Sequence, residues 1–228
     1  AHPRTANIVH TIIRAILNKA LIWDYLEGRN PADHIVRYPE KKRRRYLAKE
    51  ELPRFHRALK QESNETNRDA ILILLYTGAR KMNVLAMQWK DIDLDRAIWI
   101  IPETKNGEPQ MVVLPMQAIT LLKRRYKQRH FRYVFPGQGQ AGHLGNLKKA
   151  WERLLDNAGI DDLWIHDLRR TVGSYLANFG ASQDQIKMQL GHKDAQSLAH
   201  YVFPDPEYLR ATVAELANFL EKSTLDEE

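Results

Sequence analysis

Residues 70–80 read Ala-Ile-Leu-Ile-Leu-Leu-Tyr-Thr-Gly-Ala-Arg, and this stretch decides where the centre of the fold lies. Its apolar residues occupy most sides of a helix, and a helix that is apolar all round is buried. We therefore predict a central helix over 67–77. Gly78 should end it, because glycine commonly takes the left-handed conformation just after a helix. Arg80 then follows the most buried helix in the chain.

The segments around this helix predict a mainly α fold with a small antiparallel β-sheet (α+β). Apolar residues recur at helical spacing through most of the chain. The further predicted helices cover 6–25, a stretch from residue 48, 81–88, 116–129, 146–158, 166–179, 183–190 and 207–221. Two β-prone runs, 97–101 and 110–114, flank Asn106-Gly107, which is a strong hairpin-turn signal. This hairpin carries Lys105 at its tip.

The N-terminal part of the chain predicts a separate helical element followed by a basic connector. The helix over 6–25 has one long apolar face and cannot form a core alone, so it must dock on another element. Since no initiator Met is present, we expect a fragment of a longer protein. After Pro39 come five consecutive cations, Lys41, Lys42, Arg43, Arg44 and Arg45. Two interpretations stay open for this run: a solvated linker, or a strap along DNA phosphates.

Composition narrows the classes of function. Lys and Arg outnumber Asp and Glu by 35 to 28, which gives a net charge of +7. Basic chains bind phosphate backbones by releasing counterions, so nucleic acid is the leading candidate partner, with a merely solvated surface as the alternative. The absence of Cys excludes disulfides and thiolate chemistry. No apolar run approaches the roughly 18–20 residues that span a bilayer, and no signal peptide is recognisable, so we expect a cytoplasmic protein.

Two C-terminal segments bring together side chains suited to attack on a phosphodiester. The first begins at His166 and contains Arg169 three residues later, which puts both side chains on one flank of a helix. The second runs from Leu190 to Tyr201 and contains His192. A tyrosine hydroxyl with a pKa of about 10 is mostly protonated at pH 7, so it needs a base or a positive potential. His166 is the candidate base.

The remaining parts of this chemistry are cations and an acid. Arg80 and Arg169 are candidates for a phosphate clamp, because a guanidinium binds two phosphate oxygens and keeps its charge. The leaving 5′ oxygen of a deoxyribose needs a proton, for which Lys105 is the candidate acid. His192 is placed to donate a hydrogen bond to the phosphate. No carboxylate cluster that would hold a metal is recognisable, so we expect neither a metal nor a cofactor.

Five ordered motifs now resemble the active-site motifs of the tyrosine recombinase (phage integrase) family, and the segments 88–93 and 99–114 look most like integrases of prophages and genomic islands. They fit the family's order and spacing over about residues 46–221. The motifs are Thr77-Gly78-Ala79-Arg80, Thr104-Lys105-Asn106-Gly107, His166-Asp167-Leu168-Arg169-Arg170-Thr171, Leu190-Gly191-His192 and Tyr201. Their joint occurrence is far more specific than any single motif.

The resemblance implies a site-specific DNA recombinase that cuts one strand at a time through a 3′-phosphotyrosyl link. It implies residues 1–32 as the end of a core-binding domain, 33–45 as an interdomain linker and 46–228 as a catalytic domain. The implied roles are Tyr201 as nucleophile, Arg80 and Arg169 as clamp, Lys105 as acid, His166 as base and His192 as phosphate contact. The implied partners are double-stranded attachment-site DNA, a homotetrameric synapse and accessory DNA-bending factors, in the bacterial cytoplasm.

One departure and two alternatives accompany this resemblance. Where the family commonly has an acidic residue three positions after the first arginine, this chain has Asn83, which lacks the charge to pair with a cation. A non-catalytic helix-turn-helix-type module would use 183–201 in a DNA groove. A tyrosine-type topoisomerase would share the chemistry without a partner duplex. The predicted helix 207–221 packs either on a neighbouring protomer or on its own domain.

Overall fold

The computed structural model describes residues 2–40, 43–102, 109–128, 131–191 and 207–222, and α-helices form just over half of these residues. The helices are α1 (Pro3–Ile22), α2 (Leu52–Lys60), α3 (Glu65–Thr77), α4 (Lys81–Leu85), α5 (Met116–Lys127), α6 (Lys148–Ala158), α7 (Asp167–Asn178), α8 (Gln183–Leu190) and α9 (Glu207–Lys222). The strands are β1 (Ile92–Asp93), β2 (Ile98–Ile101) and β3 (Gln110–Val113). The predicted mainly α fold with a small antiparallel sheet is confirmed. No helix within these ranges is both long and apolar enough to cross a membrane.

Two compact units divide the chain, Ala1–Arg44 and Arg45–Glu228. In the first, α1 begins at Pro3 and ends at Ile22, before Asp24 takes a positive φ of 57°. The predicted helix over 6–25 is therefore shifted by three residues. Its apolar face, which includes Ile12 and Ile16, is exposed. The domain limits read from the sequence stay a prediction.

Residues that were predicted to connect two domains are bound to α1 within the first unit. Asn7 donates from Nδ2 to the carbonyl of Tyr38 at 2.9 Å, and its Oδ1 accepts from the Tyr38 amide at 2.9 Å. Asn30 donates to the carbonyl of Arg14 at 3.0 Å. An Asn side chain that exchanges two bonds with one backbone residue imitates a strand pairing. The segment up to residue 40 is therefore held along the helix.

Helix α3 is central to the second unit, as predicted. Asn64 caps its first turn by accepting from the Asn67 amide at 3.0 Å, and the residues from Ala70 to Thr77 are buried apart from Leu72. Gly78 ends the helix with a left-handed φ of 65°. Predicted helix 81–88 is shorter than expected, since α4 already ends at Leu85.

A buried carboxylate joins α3 to α5. Asp69 is fully buried and accepts from Arg124 at 2.7 Å and from Arg125 at 2.9 Å. A buried charge is tolerated only when it is paired and hydrogen-bonded. The two arginines therefore fix the relative position of these helices.

The sheet has the strand order β1-β2-β3, and both pairs are antiparallel. In the β2–β3 pair, Ile98 lies opposite Val113 and Ile101 lies opposite Gln110. Both predicted β-runs form strands, while the two-residue β1 was not predicted because it is too short to show an alternating pattern. The predicted Asn106-Gly107 turn and Lys105 lie outside the described residues.

Helix α9 packs on its own domain, which decides between the two predicted alternatives for 207–221. Its apolar residues Leu209, Val213, Leu216 and Leu220 are buried in the core. Tyr76 of α3 donates to the carboxylate of Glu221 at 3.1 Å. Burial and this carboxylate raise the pKa of Tyr76, so its hydroxyl keeps the proton that it donates. The last helix is thus anchored at its C-terminal end.

Replacing Gly78 by Ala should destabilise the second unit strongly. A Cβ at this position would lie 2.6 Å from Leu190 Cδ2 and 3.0 Å from Val172 Cβ, in a backbone conformation that L residues disfavour. We expect a loss of about 2–4 kcal/mol in the free energy of unfolding in urea, from left-handed strain and overpacking together.

Gly159→Ala is the matched control. Gly159 ends α6 in the same left-handed conformation, but the nearest neighbour of its Cβ would be Arg54 Nη1 at 3.5 Å. We expect the left-handed strain alone to lower the free energy of unfolding of this variant, by about 1–2 kcal/mol. Equal losses in the two variants would contradict the close packing of α3 against α8.

Candidate active site

Arg169 lies inside the domain and bridges the ends of two helices. Its side chain projects from α7 and is 7% exposed. Nη1 donates to the carbonyl of Gly78, just beyond α3, at 2.9 Å, and Nη2 donates to the carbonyl of Leu190 at the end of α8. The sequence predicted this guanidinium on a flank of the helix, and in the structure that flank is buried at Arg169. The ends of α3 and α8 cover that flank, and their carbonyls accept the hydrogen bonds of Arg169.

Arg80 reaches the same place from the opposite side. It follows Gly78-Ala79 and forms the N-cap of α4, and its Nη2 donates to the carbonyl of Gly191 at 3.0 Å. Its Nη1 is buried and has no hydrogen-bond acceptor among the described residues. A buried charged donor without an acceptor is costly unless a ligand completes it. The arrangement therefore leaves one guanidinium nitrogen for an anion.

Burial and the proximity of two like charges shape the electrostatics of this pair. Burial, with the nearby charge of Arg80, lowers the pKa of Arg169 to about 10. The guanidinium stays protonated at pH 7. The last carbonyls of a helix carry partial negative charge and attract cations, which offsets part of the repulsion. The site is therefore cationic before any ligand arrives.

Three consecutive carbonyls at the end of α8 each accept from a different side chain. The carbonyl of Gln189 accepts from Gln110 at 3.0 Å, that of Leu190 accepts from Arg169, and that of Gly191 accepts from Arg80. The last carbonyls of a helix have no partner within the helix, so they are free to bind these donors. Gly191 permits the turn with a left-handed φ of 64°.

Gln189 and Gln110 were missed by the sequence reasoning. Both are buried, at 1% and 7% exposure, and they join α8 to β3. The signal available in the sequence was Gln189 itself, a polar residue in the last turn of α8 next to the apolar Leu190. A capping box opens the same helix, since Ser182 and Gln185 exchange bonds at 3.2 and 2.7 Å.

His166 lies at the edge of this cluster. It is partly exposed and forms the N-cap position of α7. Partial burial, together with the charges of Arg170, Arg169 and Arg80, lowers its pKa below the usual 6.5. The imidazole is therefore neutral at pH 7 and is able to accept a proton.

Asp167 anchors the segment that carries His166. Its carboxylate is fully buried, accepts from the Trp164 amide at 2.9 Å and pairs with Arg170. A carboxylate in the first turn of a helix also suits the positive end of the helix dipole. Asp167 thus fixes the backbone next to His166, the candidate base.

Asn83 brings no negative charge to the position, three residues after Arg80, where the family commonly has an acidic residue. It is half-buried on α4, and its Nδ2 has no acceptor within the described part of the chain. The orientation of Arg80 comes instead from the carbonyl of Gly191.

Several predicted site residues lie outside the described ranges. The basic run over 41–45 lies partly outside them, since only residues 43–45 are described. Those outside are Lys41, Lys42, Lys105, His192 and Tyr201. Of the other cations in the run, Arg44 is exposed and Arg43 is half-buried. Arg45 pairs with Glu51 through two bonds of 2.6 and 2.7 Å. That pairing lowers the pKa of Glu51 and neutralises the charge that was predicted for DNA.

The part of the chain that the structure describes contains no cluster of side chains suited to binding a metal ion. No group of three or more His, Cys, Asp or Glu side chains comes together there. The cations Arg80 and Arg169 are instead the charges gathered at this site.

Known proteins resemble this chain in sequence. The integrase of Salmonella phage P22 is 28% identical over 188 residues, which are 76% of this chain and 47% of that protein. The chain therefore spans about half the length of this relative.

Solved structures share the fold. A Tn1549 transposon integrase in complex with circular intermediate DNA superimposes with a TM-score of 0.70 at 19% identity, covering 93% of this chain and 79% of that one. A lambda integrase dimer bound to a COC′ core site gives 0.68 at 17% identity, covering 89% and 76%. The model of the phage integrase family matches residues 45–207, well over half of the sequence. The chain therefore belongs to the phage integrase family.

Proposed function

We propose that this protein is a site-specific DNA recombinase, an integrase that cleaves and rejoins DNA through a 3′-phosphotyrosyl intermediate. One observation carries the proposal: Arg80 and Arg169 are held at the end of α8, and Arg80 keeps a buried Nη1 without an acceptor among the described residues. The scissile phosphate would supply that acceptor. His192 follows directly in sequence, and Tyr201 lies nine residues further on.

In the proposed reaction, the hydroxyl oxygen of Tyr201 attacks the phosphorus while His166 takes its proton. The bond from phosphorus to the 5′ oxygen breaks, and Lys105 gives that oxygen a proton. His192 donates a hydrogen bond to the phosphate. The released 5′-hydroxyl of a partner strand then attacks the phosphotyrosine in the reverse sense. The energy of the phosphodiester is kept in the protein–DNA link, so the exchange needs no ATP.

The arginine pair supplies the electrostatic part of this reaction. Negative charge builds on the nonbridging oxygens during phosphoryl transfer, and fixed cations aimed at them stabilise the transition state. Arg169 is already bound on Nη1 and Nη2 by two carbonyls, so little reorganisation is needed when DNA arrives. The neutral imidazole of His166 matches the base role.

The proposed partner is double-stranded DNA with attachment or recombination sites. The Tn1549 and lambda integrases, which share this fold, were solved with DNA, and this supports the proposal. We further propose a core-binding domain ending near residue 32, a basic linker over 33–45 and a catalytic domain over 46–228. Lys41, Lys42, Arg43 and Arg44 would contact the DNA backbone. A tetrameric synapse, accessory factors and a bacterial cytoplasmic location belong to the same proposal.

A nicked suicide duplex, whose cleaved strand cannot religate, should trap a covalent adduct. The wild-type chain should give an SDS-resistant band on denaturing gels, and Tyr201→Phe should give none because it lacks the attacking oxygen. Tyr175→Phe is the control, since Tyr175 is a buried core residue that donates to the carbonyl of Leu47.

The same experiment separates the alternatives. A stable, specific mobility shift with no adduct would favour a non-catalytic DNA-binding module. An adduct combined with relaxation of supercoiled plasmid, and no exchange with a partner duplex, would favour a topoisomerase.

Arg80→Ala should remove cleavage far more than binding. Loss of one donor that acts on developing charge typically costs about 10²–10³-fold in rate. The dissociation constant should rise much less, since many phosphate contacts share binding. Single-turnover cleavage and filter binding measure the two effects on the same duplex.

Arg96→Ala is the control for charge alone. Arg96 is exposed on the turn before β2, so its removal lowers the net charge without touching the α8 carbonyls. Equal losses of binding and cleavage in Arg80→Ala would show that the arginine has no special role in the transition state.

The cleavage rate should show an acidic limb that belongs to His166. Because burial and neighbouring arginines lower the pKa of this imidazole, the acidic limb should have its midpoint below the ordinary histidine value of about 6.5. Rates at subsaturating DNA report the free enzyme and measure this pKa.

His166→Gln should lower the rate by about 10²–10⁴-fold and abolish the acidic limb. An acidic limb that persists unchanged in this variant would assign the titration to another group.

A further inference from the structure

Gln189 is a buried carboxamide whose hydrogen-bonding groups each meet the backbone of another element. Its Oε1 accepts from the Val113 amide at 3.0 Å, and its Nε2 donates to the Val113 carbonyl at 3.0 Å. The same Nε2 donates to the Thr77 carbonyl at 3.2 Å. The side chain thus uses both amide protons and one oxygen lone pair. None of these bonds is within its own helix.

The carboxamide takes the place of a neighbouring strand at the edge of β3. One side of β3 pairs with β2, and on the other side the amide and carbonyl of Val113 face Gln189. A buried strand edge must find partners for its backbone groups. Gln110 adds a bond in the reverse direction, from β3 to the carbonyl of Gln189. Two glutamines therefore fix β3 to α8.

The groups that meet at Gln189 belong to the elements that carry the proposed catalytic side chains. Thr77 lies three residues before Arg80, and the segment that connects β2 to β3 contains Lys105. Gln189 itself is followed by the carbonyls of Leu190 and Gly191 that hold both arginines.

We infer that Gln189 is a positioning residue, which sets strand β3 against the arginine pair; Lys105 lies in the sequence between β2 and β3. The inference rests on the proposed function for its catalytic consequence. Its geometric consequence, a fixed distance between β2 and α4, can be measured in the free protein.

The proton that Lys105 gives to the 5′ oxygen provides a selective chemical readout. When sulfur replaces that bridging oxygen, the thiolate leaves without a proton, and phosphorus still exchanges one bridging bond for the bond to Tyr201. A displaced β3 therefore slows cleavage of the oxygen-bridged duplex and affects the sulfur-bridged duplex little. A general loss of stability slows both alike.

The test compares Gln189→Met, which keeps the volume and removes the hydrogen bonds, with Gln183→Met, the same change at an exposed position of α8. Gln189→Met should slow cleavage of the oxygen-bridged suicide duplex by about 10–100-fold, as a misplacement of about 1 Å does. Its loss on the sulfur-bridged duplex should be about ten times smaller. In the background of Lys105→Ala the change should add little on the oxygen-bridged duplex, because the two residues act on one step.

Equal losses on the two duplexes, or full additivity with Lys105→Ala, would overturn the inference. If thermal melting shows that Gln189→Met is unfolded, Gln110→Met removes only the reciprocal bond and should give the same substrate dependence in weaker form. A folded Gln110→Met with wild-type rates on both duplexes would also contradict it.

A second measurement does not depend on cleavage. The chain has no Cys, so spin labels can be attached at Met82→Cys on α4 and Ile100→Cys on β2, both exposed positions. The distance distribution between them should broaden in Gln189→Met and stay narrow in Gln183→Met. A distribution that does not change in Gln189→Met would overturn the positioning role. A wild-type chain that forms no adduct would contradict the proposed function and leave this distance result standing.

Discussion

The site depends on the last carbonyls of helix α8. A helix ends with backbone acceptors that its own amides cannot satisfy, and here Gln189, Leu190 and Gly191 offer theirs to Gln110, Arg169 and Arg80. Two cations that would repel each other are thereby held by negative ends of peptide dipoles. Backbone carbonyls offset part of the free energy lost by burying the two charges. The remaining buried donor, Arg80 Nη1, is able to bind an anion.

This arrangement explains why the glycines of the site are required. Gly78 and Gly191 both adopt left-handed backbone conformations, and each lies where a Cβ would clash. At Gly191 the clash would be with the Gln110 side chain, at 2.2 Å. Backbone carbonyls accept from both arginines, and Asn83 adds no charge near Arg80.

The sequence predicted the central helix and the sheet because their patterns are local. Residues 70–76 are apolar on most sides of their helix, and Ile98–Ile101 and Gln110–Val113 have β-prone residues. It did not predict the burial of Arg169, because that depends on the carbonyls of Gly78 and Leu190, which are remote in sequence from it. The same holds for Gln189, whose partners lie 76 and 112 residues away. The motif spacing identified which arginines belong together, and the structure shows what holds them.

The most direct test of this account is a structure of the Tyr201→Phe chain bound to an uncleaved site duplex. The account predicts a nonbridging oxygen of one phosphate about 3 Å from Arg80 Nη1, a hydrogen-bond distance, while Nη2 keeps its bond to Gly191. Arg169 should keep its two carbonyl acceptors. A phosphate bound elsewhere, or arginines that leave the α8 carbonyls to reach the DNA, would contradict a preformed clamp.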